Sequence, residues 1–325
     1  MLSRVRPAHF CVLAATAVAL LCSSCGGSGA ATGSSGTISI TVGALPVIDD
    51  VGMYIAQDEG IFQKVGLNVT IKSVATSAVA IPEMKSGAID ILGGGNDVSF
   101  IQLAAKTPDA IPFKLLAEAA TCAPGAFEVL VLPSSGIETP AELQHKTISV
   151  NITNNIQTLT IDSVLEADDV NPSSVRYTAI PFPLMIAALK AHKVNAISEV
   201  EPFATEAQQA AGAVPILDQC TGPTNSIPLS GYYAPAAWAQ QNPTAVERFK
   251  QAMAQAQDIA DTNRAEVEKA LLTYVPNLKQ IQAATIALDE FPTSTDTVQL
   301  NRVSNLMLEA GLIHKSFQTS AIVQG

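Results

Sequence analysis

From residue 37 onward, hydrophobic positions change period repeatedly between two and three-to-four, so short extended runs alternate with amphipathic helices. Residues 37–42 alternate β-branched side chains and stop at Gly43, and a turn over 44–49 leads into a helix over 50–59 that Gly60 closes. A strand over 67–74, a helix over 77–86 and a short apolar strand over 88–92 follow, the last broken by Gly93, Gly94 and Gly95. A helix over 97–105 and a strand over 114–120 complete this series. A second series opens at 127–132, a near-continuous apolar run of the kind buried parallel strands show. It continues with a short helix from Pro140 to Leu143, a strand over 147–151, a helix over 155–167, a strand over 175–180, a helix over 183–191 and a strand over 194–197. Strands alternating with helices predict an α/β fold with a largely parallel sheet and helices on both faces.

The two series share an internal repeat. I-P-E-M-K-S-G-A-I-D-I at 81–91 aligns without gaps on I-A-A-L-K-A-H-K-V-N-A at 186–196, placing Lys85 opposite Lys190 and Asp90 opposite Asn195. Two copies imply two similar lobes rather than a solenoid, although two unrelated helix-turn-strand units could also coincide this far. After Cys220 the composition changes. Residues 221–230 read as a linker rich in Pro, Gly, Ser and Thr, and 231–234 as a brief strand. Asn242 and Pro243 then open a long helix with Val246, Phe249, Met253, Ala256 and Ala260 on one stripe. Further helices are expected over 265–274, 278–288 and 295–310. These helices need a surface to cover, which predicts that the chain returns to its first lobe.

The first 24 residues read as a secretion signal. Arg4 and Arg6 precede an apolar run over 10–21, shorter than the ~20 residues a spanning helix needs. Cys22-Ser23-Ser24-Cys25 fits a lipoprotein signal in which Cys25 is acylated, with Cys22 standing where leucine is usual. A Gly/Ser-rich tether over 25–36 follows. A plainly cleaved secreted protein is the alternative. The full chain of 325 residues carries 29 acidic and 18 basic residues, a net charge of −11. Cleavage before Cys25 removes two arginines and no acid, taking the charge to −13. Such a chain repels phosphate backbones and argues against a nucleic-acid partner. Cys122 and Cys220 are left as an even pair in an oxidising compartment, either bonded or as two free thiols.

Three blocks in order resemble a known family. They are G-x-F-x-K-x-G-L-x-V at 60–69 behind the helix Met53-Tyr54-Ile55-Ala56, S-G-x-I-D-I at 86–91, and A-L-x-x-x-x-V-x-A at 188–196 followed by Glu201-Pro202-Phe203. Together, over about residues 38–310, the chain resembles the ABC-importer solute-binding proteins of the sulfonate, nitrate and thiamine-precursor class. His145 and His192 depart from the glycine that the family often has in these tight turns. The resemblance implies a type II periplasmic-binding-protein fold, two α/β lobes joined by a two-segment hinge with the ligand in the cleft between them. On this reading lobe 1 is discontinuous, 37–122 with 228–325, and lobe 2 is 123–227. Cys122 and Cys220 would then fall at the two crossings, where a disulfide would staple the hinge.

Ligands of open α/β sheets sit beyond the carboxyl ends of the strands, where loops meet helix N-termini. Four polar loops are expected on that edge. They contribute Leu45, Asp49 and Asp50; Gly94, Gly95, Asn96 and Asp97; Thr153, Asn154 and Asn155, with Asn151 just before; and Glu199 and Glu201. Tyr232, Tyr233 or Trp238 could stack on a ring. Asp50, Asp97 and Asn154 could equally be simple helix caps. No Lys or Arg falls in these loops and five carboxylates do, which favours a neutral or nitrogen-bearing solute, such as a heterocycle, over sulfonate or nitrate. The four histidines, His9, His145, His192 and His314, have no metal-site spacing, and the chain has no G-x-S-x-G elbow, no P-loop and no cysteine cluster after residue 25. The expectation is a monomeric, membrane-anchored extracytoplasmic lipoprotein, held by its lipid alone. It needs no cofactor, and it passes a small molecule to an ABC permease. The alternative is an enzyme of the same fold acting on a pyrimidine-like heterocycle, and a sensing receptor is a weaker third.

Overall fold

A computed structural model describes residues 36–325. The expected signal peptide, the acylation of Cys25 and nearly all of the tether lie outside the described residues. Two five-stranded sheets organise the fold. The first takes β1 (Ile38–Ala44), β2 (Leu67–Ser73), β3 (Ile91–Asn96), β4 (Phe113–Thr121) and the late strand β10 (Pro228–Pro235), in the order β2-β1-β3-β10-β4. The second takes β5 (Phe127–Val131), β6 (Thr147–Val150), β7 (Arg176–Ala179), β8 (Ala196–Val200) and β9 (Val214–Asp218), in the order β7-β6-β8-β5-β9. Both are mixed rather than largely parallel: β10 runs antiparallel to β3 and β4, and β5 antiparallel to β8 and β9. The reason is the double crossing. The first strand after each crossing, β5 in one sheet and β10 in the other, is the one that runs against its neighbours.

The repeat falls on equivalent parts of the two sheets. Helix α3 (Ser77–Ser86) leads into β3, and a later helix over Phe182–Lys190 leads into β8. Asp90 and Asn195 do the same work in each: the Asp90 carboxylate accepts from the Thr41 N–H of β1 (2.8 Å), and the Asn195 side-chain oxygen from the Thr147 N–H of β6 (2.9 Å). Gly87 and His192, aligned in the repeat, both adopt the left-handed conformation, φ 77° and 53°. A histidine therefore stands where glycine would be free of strain, and His145 does likewise at φ 63°.

The remaining helices are α1 (Val51–Asp58), α2 (Ile61–Lys64), α4 (Asp97–Lys106), α5 (Ile156–Ala167), α6 (Phe182–Lys190), α7 (Phe203–Ala211), α8 (Ala236–Gln241), α9 (Pro243–Thr262), α10 (Arg264–Tyr274), α11 (Gln280–Ala283) and α12 (Thr297–Glu309). The α9 stripe is buried as expected, and Val246, Phe249 and Met253 pack with Met53, Ile55 and Phe62 in one apolar layer beside the first sheet. Gln257 on the same face donates to the backbone carbonyls of Glu118 (3.2 Å) and Ala119 (2.7 Å), tying the helix to β4. The late helices thus return to the first sheet. A second layer, with Val129, Ile148, Ile161 and Leu217, belongs to the second sheet, and a third runs across both. Among the described residues no helix is long and apolar enough to cross a membrane.

Inserting β10 between β3 and β4 requires a bare backbone at one point. A Cβ on Gly231 would come 2.2 Å from the Leu115 side chain and 3.0 Å from the Ala117 carbonyl oxygen. Gly231→Ala should therefore destabilise the protein by about 1–3 kcal/mol, the usual cost of overpacking. Urea denaturation measures this, and an unchanged midpoint would show that the strand is not wedged as described.

Candidate functional site

The chain passes between the sheets twice, from β4 to β5 and from β9 to β10. Cys122 and Cys220 stand on these two crossings and are joined in a disulfide, Cα atoms 5.2 Å apart. The crossings also bond through their backbones, Cys122 N–H to the Ile227 carbonyl (2.9 Å). Further contacts link the regions around the sheets: Ile48 N–H donates to the Glu201 carbonyl (2.9 Å), Ala287 N–H to the Glu201 carboxylate (3.2 Å) and Gln102 Nε2 to the Asn154 carbonyl (3.2 Å).

A cavity opens between the strand ends of the two sheets. The first-sheet side supplies Leu45, Val47, Asp49, Ser77, Gly94, Asn96, Leu229 and Ser230; the second supplies Phe127, Asn151, Asn155, Ile156, Gln157, Phe182 and Val200. Its free volume is about 40 Å³. Among the described residues no Lys, Arg, His or Cys side chain lines it. Asn96 and Asn155 cap α4 and α5 here, their side-chain oxygens accepting from Ser99 N–H (3.0 Å) and Gln157 N–H (3.1 Å).

Asp49 is the only ionisable group in the lining among the described residues. It lies in a single turn ahead of α1 and is buried, and one of its oxygens accepts from the Ser230 hydroxyl (2.5 Å). The other oxygen has no hydrogen-bond partner. Burial pushes its carboxyl above the usual range, with the Ser230 hydrogen bond pulling the other way. On the opposite wall the Asn151 side-chain oxygen is also buried and unpartnered. Below it runs a polar chain: Asn151 N–H donates to Gln157 (2.5 Å), Gln157 to Ser198 (2.8 Å), and Ser198 meets Gln219 (2.9 Å), one residue before the disulfide. The site therefore combines an apolar wall, two free acceptors and a second-sheet network that holds Asn151 in place.

Leu45, Asp49, Gly94, Asn96, Asn151 and Asn155 thus line the cavity. The other expected contacts fall elsewhere, each for a physical reason. Asp50 turns inward, accepts from Leu45 N–H (2.9 Å) and packs against Gly93, where a Cβ would lie 2.3 Å from its carboxylate. Gly95 faces the rings of Phe100 and Tyr233. Asp97 accepts from the Tyr233 hydroxyl (2.6 Å) beneath the sheet. Thr153 and Asn154 are exposed, Asn154 in the left-handed conformation. Glu199 is not in a loop: it pairs with Glu128 inside the second sheet, wholly buried without a hydrogen-bond partner. Glu201 caps α7, accepting from Thr205 N–H (3.0 Å) and the Thr205 hydroxyl (2.8 Å). Tyr232 meets Phe249 edge-on at 5.5 Å, Tyr233 stacks on Phe100 at 3.8 Å, and Trp238 packs on the α9 layer. The residues that sequence reasoning did not select are mostly apolar, such as Val47, Phe127, Phe182 and Leu229, and in a sequence they look like any core position. Among the described residues no group of three or more His, Cys, Asp or Glu side chains could hold a metal ion.

Comparison with known proteins places this geometry. The fold is similar to the alkanesulfonate-binding protein SsuA from Xanthomonas axonopodis pv. citri bound to MOPS, at TM-score 0.73 and 15% identity, covering 89% of this chain and 99% of that one. It is similar to the ligand-binding component of an ABC-type import system from Staphylococcus aureus, at TM-score 0.75 and 12% identity, covering 89% and 97%. It is also similar to the desulfurization enzyme DSZB, at TM-score 0.63 and 16% identity, covering 88% and 96%. The fold is thus the type II periplasmic-binding-protein fold. No curated protein matches the chain in sequence. The family model described as NMT1/THI5 like matches residues 48–266, more than half of the chain, and the chain belongs to that family.

Proposed function

We propose that this chain is an extracytoplasmic solute-binding lipoprotein. It captures a small neutral or nitrogen-bearing molecule between lobe 1 (37–122 with 228–325) and lobe 2 (123–227) and hands it to an ABC importer. The observation that carries this reading is the cavity: both sheets line it, its walls mix apolar with uncharged polar side chains, and its one charged group among the described residues is an acid. Contacts to both walls would stabilise the closed arrangement, the state an importer would recognise. A sulfonate or nitrate would desolvate its charge beside Asp49 with no cationic side chain to compensate. The protein would act as a monomer, held to the membrane by lipid on Cys25.

An enzyme of this fold acting on a pyrimidine-like heterocycle is the second reading, and the likeness to DSZB is what favours it. The lining offers serines and one carboxylate but no imidazole, thiol or amine to pair with them, which supports binding instead. Equilibrium dialysis with mass analysis of the recovered solute separates the two. Saturable binding with the solute recovered unchanged is expected, and stoichiometric or faster conversion to a product would overturn the proposal.

A further inference from the structure

The cavity's two unsatisfied oxygens constrain the solute further, on the assumption that the binding reading above holds. Asp49 and Asn151 are 7% and 8% exposed, and both line the cavity, one from each side. Each keeps one side-chain oxygen without any hydrogen bond. A buried acceptor left unpaired costs about 1–3 kcal/mol, more when charged, so the pair is a strong preference for a solute that brings donors to both at once. We infer that the cleft selects a small planar N–H donor of the guanidinium, amidinium or urea class, held between Asp49 of one wall and Asn151 of the other.

Planarity follows from the walls. Phe127 and Phe182 line the cavity, and Phe182 is itself stacked on Phe203, centroids 5.9 Å apart and 12° between planes. A flat group keeps its donors in one plane and presents its faces to these rings. A flat cation also gains from the face of an aromatic ring. Size follows from the volume. About 40 Å³ is available, and one water needs roughly 10–15 Å³, so the cavity has room for the equivalent of about three to four waters, which suits a solute of few heavy atoms. Charge follows from Asp49, which favours a cation or neutral donor over any anion. Ser230 already occupies the second Asp49 oxygen and so aligns the carboxylate for a single further donor.

The test titrates the full chain with guanidinium, acetamidinium, urea and imidazole, and with nitrate and methanesulfonate, by calorimetry and thermal shift. At least one of guanidinium, acetamidinium and urea should bind and raise the melting midpoint by several degrees at about a hundredfold excess over Kd, while neither anion does so, and binding of imidazole alone overturns the inference. Asp49→Asn should weaken that binding by about 30-fold or more, the usual result of removing one partner from a buried charged hydrogen bond. Asn151→Leu, on the other wall, should weaken it by about tenfold or more, and keeps the test decisive if Asp49→Asn does not fold. Binding of nitrate or methanesulfonate overturns the inference and with it the preference against these anions, while capture of a solute stands; N–H donor binding indifferent to both substitutions overturns the inference alone. If none of the six probes binds, the inference also falls. The same protein is then exposed to a mixed small-molecule extract and its retained solutes identified by mass. Retention of a larger solute keeps the capture reading, and retention of none removes both.

Discussion

Replacing Cys122 and Cys220 together by serine should lower the melting midpoint by roughly 10 °C. The two residues are 98 positions apart in sequence, and both side chains are buried. Closing a loop of ~100 residues removes enough freedom from the unfolded chain to stabilise the fold by about 4–5 kcal/mol on the chain-entropy account. For a chain of this size each kcal/mol moves the midpoint by about 2–4 °C. Calorimetry of the wild type, oxidised and reduced, beside the double variant makes the comparison. Both perturbed forms should melt together, well below the oxidised protein. A difference of only a degree or two would mean that the bridge constrains little of the unfolded chain, and non-reducing peptide mapping that found both thiols alkylatable would remove the bridge altogether.

The melting midpoint should also be higher at pH 5 than at pH 8. The fold buries carboxylates without cationic partners: Asp49, Asp50, Glu118, Glu199 and Asp289 are all pushed above their ordinary range, chiefly by burial. Burial raises Asp97 to about 7 against the pull of its Tyr233 hydrogen bond, and raises Glu128 to about 7 with Glu201 and Asp218 adding repulsion. Asp162 is raised to about 6, again chiefly by burial. A group whose folded pKa exceeds its unfolded value contributes stability that is complete below the unfolded value, about 4, and lost as pH rises through the folded one. Asp97 alone, moved from 3.8 to about 7, favours the fold at pH 5 over pH 7 by on the order of 2 kcal/mol. Asp97→Asn should flatten part of this dependence and raise the midpoint at pH 8. A midpoint that climbs from pH 5 to pH 8 would show that cations or ordered water compensate these acids in solution.

Where side-chain pattern and backbone need coincide, the sequence was readable. Asp90 and Asn195 were visible as an aligned pair, and each caps the N–H of a neighbouring strand. The stripe of α9 was visible because an amphipathic helix of 20 residues repeats its face many times. Misreadings arose where one local rule competed with a distant contact. Gly93, Gly94 and Gly95 look like a break, yet β3 runs through them because Asp50, Tyr232 and Tyr233 need the space a side chain would fill. Ser198 and Glu199 look like loop residues, and they are strand residues whose polar groups are buried. The expected helix over 278–288 shrinks to Gln280–Ala283, because Arg264 draws off the carbonyls of Ala283, Ala284 and Ile286 (3.3, 2.9 and 2.7 Å). β9 gives no clear strand signal, because Pro215 interrupts an otherwise β-rich run. The cavity was half legible: its polar rim could be listed, but its apolar wall could not be told from core until the two sheets faced each other.

The position of β10 sets an order of events as the chain emerges from synthesis or export. All five strands of the second sheet are complete by Asp218, whereas the first sheet, begun at Ile38, still lacks the strand that separates β3 from β4 until Pro235 is available. The half that starts first must therefore wait, with β3 and β4 unjoined, while the later half can close on itself. The first sheet can pair β1, β2 and β3 early, but it is finished from the carboxyl side, only after every strand of the second sheet is available.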